Sequence, residues 1–340
     1  MDLGPEFWAL AALVFVFTYV NGFHDGCNVV ATLIASRAMP ARAALVAAAV
    51  IEVISPFAVL VIGASVSHTV QHLVHESAYT DPAAQRVALA FFGAGILAAV
   101  TWNITTWYFA LPASSSHALI GGLVGAGLAA FGSGQIAWDY FWERVVLMVF
   151  LTPVASFIVG FLMLRLILLS AKRATTRVNT FFKYAQYVNM AFLAFNHSFN
   201  DSQKSVGMIM ILMSVVTGAV VTSPPLWAIA AAAVALSAGI LFGGFRIIGT
   251  VGNGIYKVLP VHSFSSQLAA GAVILTSSLV GAPVSSSQIV SSSIMGVGSA
   301  EAYKRVRWLT ARKILLSWVI TIPLAGALGA LLFTLFRLIV

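Results

Sequence analysis

Two short segments carry residue types that could do chemistry inside an otherwise apolar chain. The first reads Asn21-Gly22-Phe23-His24-Asp25-Gly26-Cys27-Asn28, and the second His197-Ser198-Phe199-Asn200-Asp201-Ser202-Gln203-Lys204. Asn21, Asp25 and Asn28 stand at i, i+4 and i+7, and His197, Asp201 and Lys204 repeat that spacing. On a helix each set therefore shares one face. An ionisable residue amid apolar sequence is costly unless paired or hydrated, so both sets are candidate sites for ions or charged solutes. The other reading is a buried Asp201–Lys204 pair that only holds helices together. It leaves the matching Asp25 without a lysine and the duplication without a reason.

A second pair of segments is Pro112-Ala113-Ser114-Ser115-Ser116-His117 and Pro283-Val284-Ser285-Ser286-Ser287-Gln288. Proline ends a helix, and serine caps the start of the next one. A helix N-terminus offers free N–H groups and partial positive charge, the usual anion site. Ser114, Ser115, Ser116, Ser285, Ser286 and Ser287 add hydroxyl donors there. Small residues that let helices pack closely are the alternative, and different serines of one run can serve each purpose. His24 adjoins its motif as a candidate proton carrier or a satisfied buried polar group. His68, His72 and His75 have a spacing that could bind metal, but a solvated interfacial stripe fits them better. Glu52, inside an apolar run, reads as a residue that pairs within the bundle, with a proton relay as its other use.

The elements that must position these residues are membrane helices. Of the 340 residues 60% are apolar and 8% charged, against about 25% charged in a soluble domain. That composition excludes a soluble enzyme, a nucleic-acid-binding module and a disordered chain. One cysteine, Cys27, excludes an intramolecular disulfide. The acidic start before the first apolar run reads as a first span rather than a signal peptide. Stretches long enough to cross about 30 Å of hydrocarbon lie at 7–36, 41–74, 85–109, 140–169, 181–216, 226–249, 263–281 and 314–337, with shorter Gly/Ser-rich ones at 112–131 and 283–299. With the N-terminus outside, Arg37, Arg42 and the basic residues of 170–183, 246–262 and 300–313 fall inside, whereas Glu76, Asp81, Asp139 and Glu143 fall outside. The positive-inside rule accounts for that sorting. It predicts a multi-pass membrane protein with both termini extracytoplasmic.

The pairs 85–109/112–131 and 263–281/283–299 must each leave and re-enter one side, as hairpins or as two crossings. Three crossings plus such a pair make an odd-parity unit, so two tandem units are inverted relative to each other. The motif offsets of 176 (Asp25 to Asp201) and 171 residues (Pro112 to Pro283) support that duplication. The expected fold is an all-α polytopic membrane protein of two inverted-topology repeats with broken helices and Ser-tipped re-entrant hairpins. Residues 1–170 form the first repeat, 181–340 the second, and 171–180 a cytoplasmic linker. Inverted repeats with interrupted apolar segments mark secondary transporters, which bind substrate near the midplane at the repeat interface.

At these motifs the sequence resembles the inorganic phosphate transporter (Pit) family. Its duplicated G-x-N-D-x-x-N signature is similar to Gly22–Asn28 and Ser198–Lys204, and its two P-x-S-[ST]-[ST]-H segments to Pro112–His117 and Pro283–Gln288. His24 stands where many members have Asn, Lys204 where the sodium-coupled type has a second Asn, Gln267 for a Glu, and Gln288 for the second His. That pattern resembles the bacterial low-affinity, proton-coupled branch. The resemblance implies import of inorganic phosphate, partly as a neutral complex with a divalent metal, and a homodimer in membrane lipid. It implies no resident cofactor and no nucleic acid. A few members carry sulfate, and others couple to sodium.

Phosphate beside two ionised carboxylates would be opposed, since like charges about 5 Å apart repel by roughly 3 kcal/mol at an effective dielectric near 20. Asp25 and Asp201 must therefore be neutralised, by protons, sodium or a metal, when the anion binds. The expected anion ligands are Asn28, Lys204 and the six serines; the expected coupling group is Asp25, Asp201, His24 and Asn200. Lys204 supplies a fixed positive charge on the second helix, which leaves a proton on Asp25, shared with His24, as the driving ion. A channel is the rival within transport. An intramembrane hydrolase built on Ser116, His117 and Asp25 is disfavoured, because no G-x-S-x-G elbow exists.

Overall fold

A computed structural model describes residues 3–172, 175, 177–243, 245–252 and 254–338. Positions 173, 174 and 176 of the expected linker lie outside the described residues, as do the terminal positions 1–2 and 339–340. The first half comprises α1 (Gly4–Ala35), α2 (Ala41–Ile54), α3 (Val59–Ile62), α4 (Ser65–Gln71), α5 (Ser77–Thr80), α6 (Gln85–Tyr108), α7 (Ser115–Phe131), α8 (Trp138–Phe141) and α9 (Leu147–Ser170). The second comprises α10 (Val178–Thr217), α11 (Leu226–Phe242), α12 (Phe245–Gly252), α13 (Pro260–Leu279), α14 (Ser286–Ala302) and α15 (Trp308–Arg337). Among the described residues there is no strand, only an isolated antiparallel bridge between Val74 and Ile136.

Five helical segments are long and apolar enough to cross a membrane: Gly4–Ala35, Ala41–Ile62, Gln85–Tyr108, Trp138–Ser170 and Trp308–Arg337. Helix α10, 40 residues long, is not among them, because the polar run from Asn196 to Lys204 occupies its middle. Lipid-facing surface is evident on α9, where Leu147, Phe150, Val154, Ile158 and Leu162 are all exposed. Such apolar exposure suits hydrocarbon rather than water.

The expected continuous spans 41–74 and 226–249 are broken instead. In the first, Pro56 cannot donate to the Glu52 carbonyl four residues back, and the Ser198 hydroxyl donates to it at 2.8 Å. The chain passes through a 3-10 turn at Ser55–Ala58 and then turns off at Gly63, whose φ is 102°. In the second, the break falls at Gly243, so close to Phe23 that a Cβ there would collide with its ring.

The serine segments form helical hairpins, and their turns have one design. Ala110 (φ 54°) ends α6 and Gly281 (φ 76°) ends α13, both in the left-handed region. The next N–H reaches back five residues, Leu111 to the Thr106 carbonyl and Ala282 to that of Ser277, each at 2.9 Å. This is the Schellman closure, and a proline follows it at 112 and at 283. Ser114 and Ser285 then cap α7 and α14, accepting from the N–H of His117 and of Gln288 at 3.2 and 3.3 Å.

The halves pack crosswise. Helix α9 lies on the second hairpin, α13 and α14, while α15 lies on the first, α6 and α7. Likewise α1 packs on α11 and α10 on α2. Each half therefore completes the other's core, and the motif faces of α1 and α10 meet between them.

Candidate functional site

Both motif faces are buried at the centre of the molecule. Asn21, Asp25 and Asn28 on α1, with His197, Asp201 and Lys204 on α10, expose at most 1% of their surface. The Asn21 amide donates to Asp201 Oδ2 at 3.1 Å. The Ser115 hydroxyl, in the first turn of α7, contacts both Asn21 Oδ1 (2.6 Å) and Asp25 Oδ2. Asp25 and Asp201 are thus joined on one polar chain through two residues, Ser115 and Asn21. From the other side the Lys204 ammonium donates to Asp201, to Ser116 Oγ at 2.5 Å and to the Val284 carbonyl at 3.0 Å. A lysine buried in apolar surroundings needs such a carboxylate and such acceptors.

The hairpin tips close this centre by gripping each other. Ser116 donates to the Val284 carbonyl at 2.9 Å, and Ser287 donates to the Ala113 carbonyl at 2.6 Å, two bonds related by the repeat. Trp318 of α15 anchors the first tip through the Pro112 carbonyl at 3.0 Å. Of the six serines, Ser114 and Ser285 are caps, Ser116 and Ser287 join tip to tip, and Ser115 holds Asp25. Ser286 Oγ has no hydrogen-bond partner.

The remaining sequence-predicted residues divide similarly. His24 Nδ1 lies 2.9 Å from Asp25 Oδ1 and its Nε2 lies 3.2 Å from the Thr106 hydroxyl. Asn200, the counterpart of His24, donates to Ser278 Oγ at 2.7 Å and to the Ala282 carbonyl at 3.3 Å. Thr106 and Ser278 occupy matching turns of α6 and α13, so both residues fasten a motif helix to its own hairpin. Asn200 makes no bond to either carboxylate among the described residues. Asn28 is buried with both side-chain polar atoms unpartnered.

Three residues of this centre stand outside the expected anion-ligand and coupling sets: Asn21, His197 and Glu52. Asn21 and His197 belong to the candidate faces that the i, i+4, i+7 spacing defines. Glu52 is fully buried and bonds His197 Nδ1 through Oε1 at 2.8 Å, a pairing across 145 residues that local sequence does not signal. Among the described residues no group of three or more His, Cys, Asp or Glu is arranged to hold a metal ion. His72 instead stands 3.8 Å from Glu76 and makes a T-shaped ring contact with Tyr140.

Inverted repeats, hairpin tips meeting end to end and paired acids between them define the architecture of a membrane transporter. The profile of the phosphate transporter family matches residues 21–173 and again 168–329. A Bacillus subtilis protein described as a "probable low-affinity inorganic phosphate transporter" is 33% identical over 327 residues, covering 95% of each chain. Proteins with the same description from Mycobacterium tuberculosis (35% identity, 94% of this chain and 75% of that one) and Rhizobium meliloti (33%, 96% and 95%) are similar. The solved structure titled "The sodium-dependent phosphate transporter" superposes with a TM-score of 0.89 over 99% of this chain and 100% of that one, at 22% identity, a likeness of fold. The chain belongs to the phosphate transporter family, a family of transporters and not of enzymes.

Proposed function

We propose that this protein imports inorganic phosphate by cation-coupled symport, with protons as the driving ion. The observation that carries the reading is the junction at Lys204: one buried ammonium touching Asp201, the Ser116 hydroxyl and the opposite hairpin tip. Lys204 is the charge that an arriving oxyanion would recruit. The unpartnered Ser286 hydroxyl and Asn28 amide supply further donors, and the first turns of α7 and α14 add helix-end N–H groups. Asp25 must be neutral while the anion is bound, because an ionised carboxylate beside the anion repels it. His24 at 2.9 Å is the group with which it shares that proton. The proton then travels with the phosphate, since each makes the other's binding favourable.

On this reading residues 1–170 and 181–340 are the two inverted units, with 171–180 as a cytoplasmic linker and both termini extracytoplasmic in a bacterial inner membrane. A homodimer and a metal–phosphate complex as the transported species rest on the family resemblance. Sodium at Asp25 is the second reading, favoured by the two free side-chain atoms of Asn28 one turn along the same face. Sulfate is a substrate of the same geometry, but at neutral pH it has no proton to donate to a carboxylate.

Uptake of labelled phosphate into proteoliposomes tests all of this. An inward proton gradient without sodium should drive accumulation, arsenate should compete, and sulfate should not. Uptake that demands sodium and ignores external pH would transfer the coupling role to sodium.

A further inference from the structure

The mechanism above leaves one buried ionisable pair unused. His197 stands between two carboxylates: Nδ1 lies 2.8 Å from Glu52 Oε1 and Nε2 lies 3.2 Å from Asp201 Oδ2, the latter an ion-pair contact rather than an aligned hydrogen bond. Both side chains of the His197–Glu52 pair are fully buried. A neutral imidazole has one N–H and one lone pair, so it would aim that lone pair at a carboxylate oxygen; only the imidazolium faces both as a donor. His24 differs in this respect. Its second nitrogen meets the Thr106 hydroxyl, which can donate or accept, so His24 tolerates gain and loss of a proton.

We propose that His197 is a resident imidazolium, held charged by Glu52, which keeps Asp201 neutralised when Lys204 turns from that carboxylate to the anion. The proposal rests on the phosphate-binding role given to Lys204 above. Glu52, Asp201, His197 and Lys204 form a neutral quartet of two negative and two positive charges. Removing Lys204 to a substrate oxygen would strand Asp201 in a water-poor site, unless a second cation remains beside it. Glu52 is a positioning residue: it acts on His197, and its own place is set by the Pro56 break and by Ser198, which donates to its carbonyl. The ionisable groups facing His197 are Glu52 from α2, Asp201 and Lys204 from α10 and, through Asn21 and Ser115, Asp25 with His24 from α1. From the other helices packed on α10, no ionisable side chain among the described residues hydrogen-bonds or ion-pairs with it.

Phosphate–phosphate exchange in proteoliposomes, with equal pH and equal sodium on both sides, reads this role independently of the driving ion. In Glu52→Gln the half-saturating phosphate concentration should rise about tenfold near pH 8, the scale of one lost charge-assisted hydrogen bond. It should return toward the unmodified protein's near pH 6, where a histidine with one carboxylate neighbour takes its proton from water. His197→Gln should be weak at both pH values, and adding Glu52→Gln to it should change nothing more. A change in Glu52→Gln that ignores pH, or effects of the two substitutions that multiply, overturns the proposal. A second measurement does not need transport. In the 15N spectrum of histidine-labelled protein, one imidazolium signal, absent in His197→Gln, should be present at the pH where the exchange assay reads the Glu52→Gln defect. Its disappearance there would equally overturn the assignment. If proton coupling itself is wrong, a pH gradient will drive no uptake while both of these readouts stand.

Discussion

The two half-sites share one backbone and carry different charges. Both hairpins end in a left-handed residue and a proline, both second arms start on a serine cap, and each tip donates one serine hydroxyl to the other. Within that symmetric frame Asn28 is matched by Lys204, Asn21 by His197 and His24 by Asn200. Asp25 consequently meets a serine and a single histidine, whereas Asp201 meets a lysine, a histidine and an amide. Duplication supplied two equivalent acids, and substitution around them separated their surroundings. On the proposed reading the sparsely partnered acid moves a proton, and the crowded one holds a fixed charge for the anion.

The most damaging way to break this contrast is to remove the crowded acid. Asp201→Ala leaves Lys204 buried without its carboxylate, and a broken buried pair costs about 3–5 kcal/mol. Thermal unfolding in detergent should show that loss, and Asp25→Ala, which strands no lysine, should show a clearly smaller one. Net transport should separate the two acids in the other direction. Asp25→Asn should reduce proton-driven accumulation about a hundredfold, as expected for loss of a proton-transferring group, while phosphate exchange survives. Equal loss of accumulation and exchange would refute the proton role of Asp25.

Lys204→Asn sharpens the comparison by making the second half resemble the first. Accumulation should fall about tenfold without sodium, the effect of one charged hydrogen bond, and should recover when sodium is supplied. Sodium-independent loss would argue against Lys204 standing in for a bound cation. Next come the paired serines. Ser115→Ala should destabilise by about 1–3 kcal/mol, because it leaves Asp25 short of a buried partner. Ser286→Ala should alter stability by less than about 0.5 kcal/mol yet raise the half-saturating phosphate concentration. At the caps, Ser114→Ala and Ser285→Ala should each cost about 1 kcal/mol in unfolding measurements and equally in both halves.

Much of the site was legible in the sequence because its signals are local. The i, i+4, i+7 spacing places Asp25 with Asn28 and Asp201 with Lys204 on single faces whatever the tertiary arrangement. Pro112 and Pro283 followed by serines read correctly as a stop and a cap, since both effects act within a few residues. The serines illustrate where that reasoning ends. Their type identifies them as donors, but which hydroxyls face the centre depends on what lies opposite: Ser116 and Ser287 meet the other tip's carbonyls, while Ser286 Oγ has no hydrogen-bond partner. The helix breaks in 41–74 and 226–249 went unread because apolar composition measures length in a membrane and not continuity. Pro56 was a visible interruption, whereas the contact of Gly243 with Phe23 was not.

By itself the sequence determined the membrane-helix class, the duplication with its inverted sense, and the residues available for chemistry. Hydropathy, loop charge and short-range spacing are properties of neighbouring residues and need no fold to be evaluated. Only the tertiary structure decided who pairs with whom. Asn21 meets Asp201 across 180 residues, Glu52 meets His197 across 145, and Ser116 meets Val284 across 168. Such pairings arise from crossed packing of the two halves, where the energy of burying a charge depends on a partner delivered by a different helix.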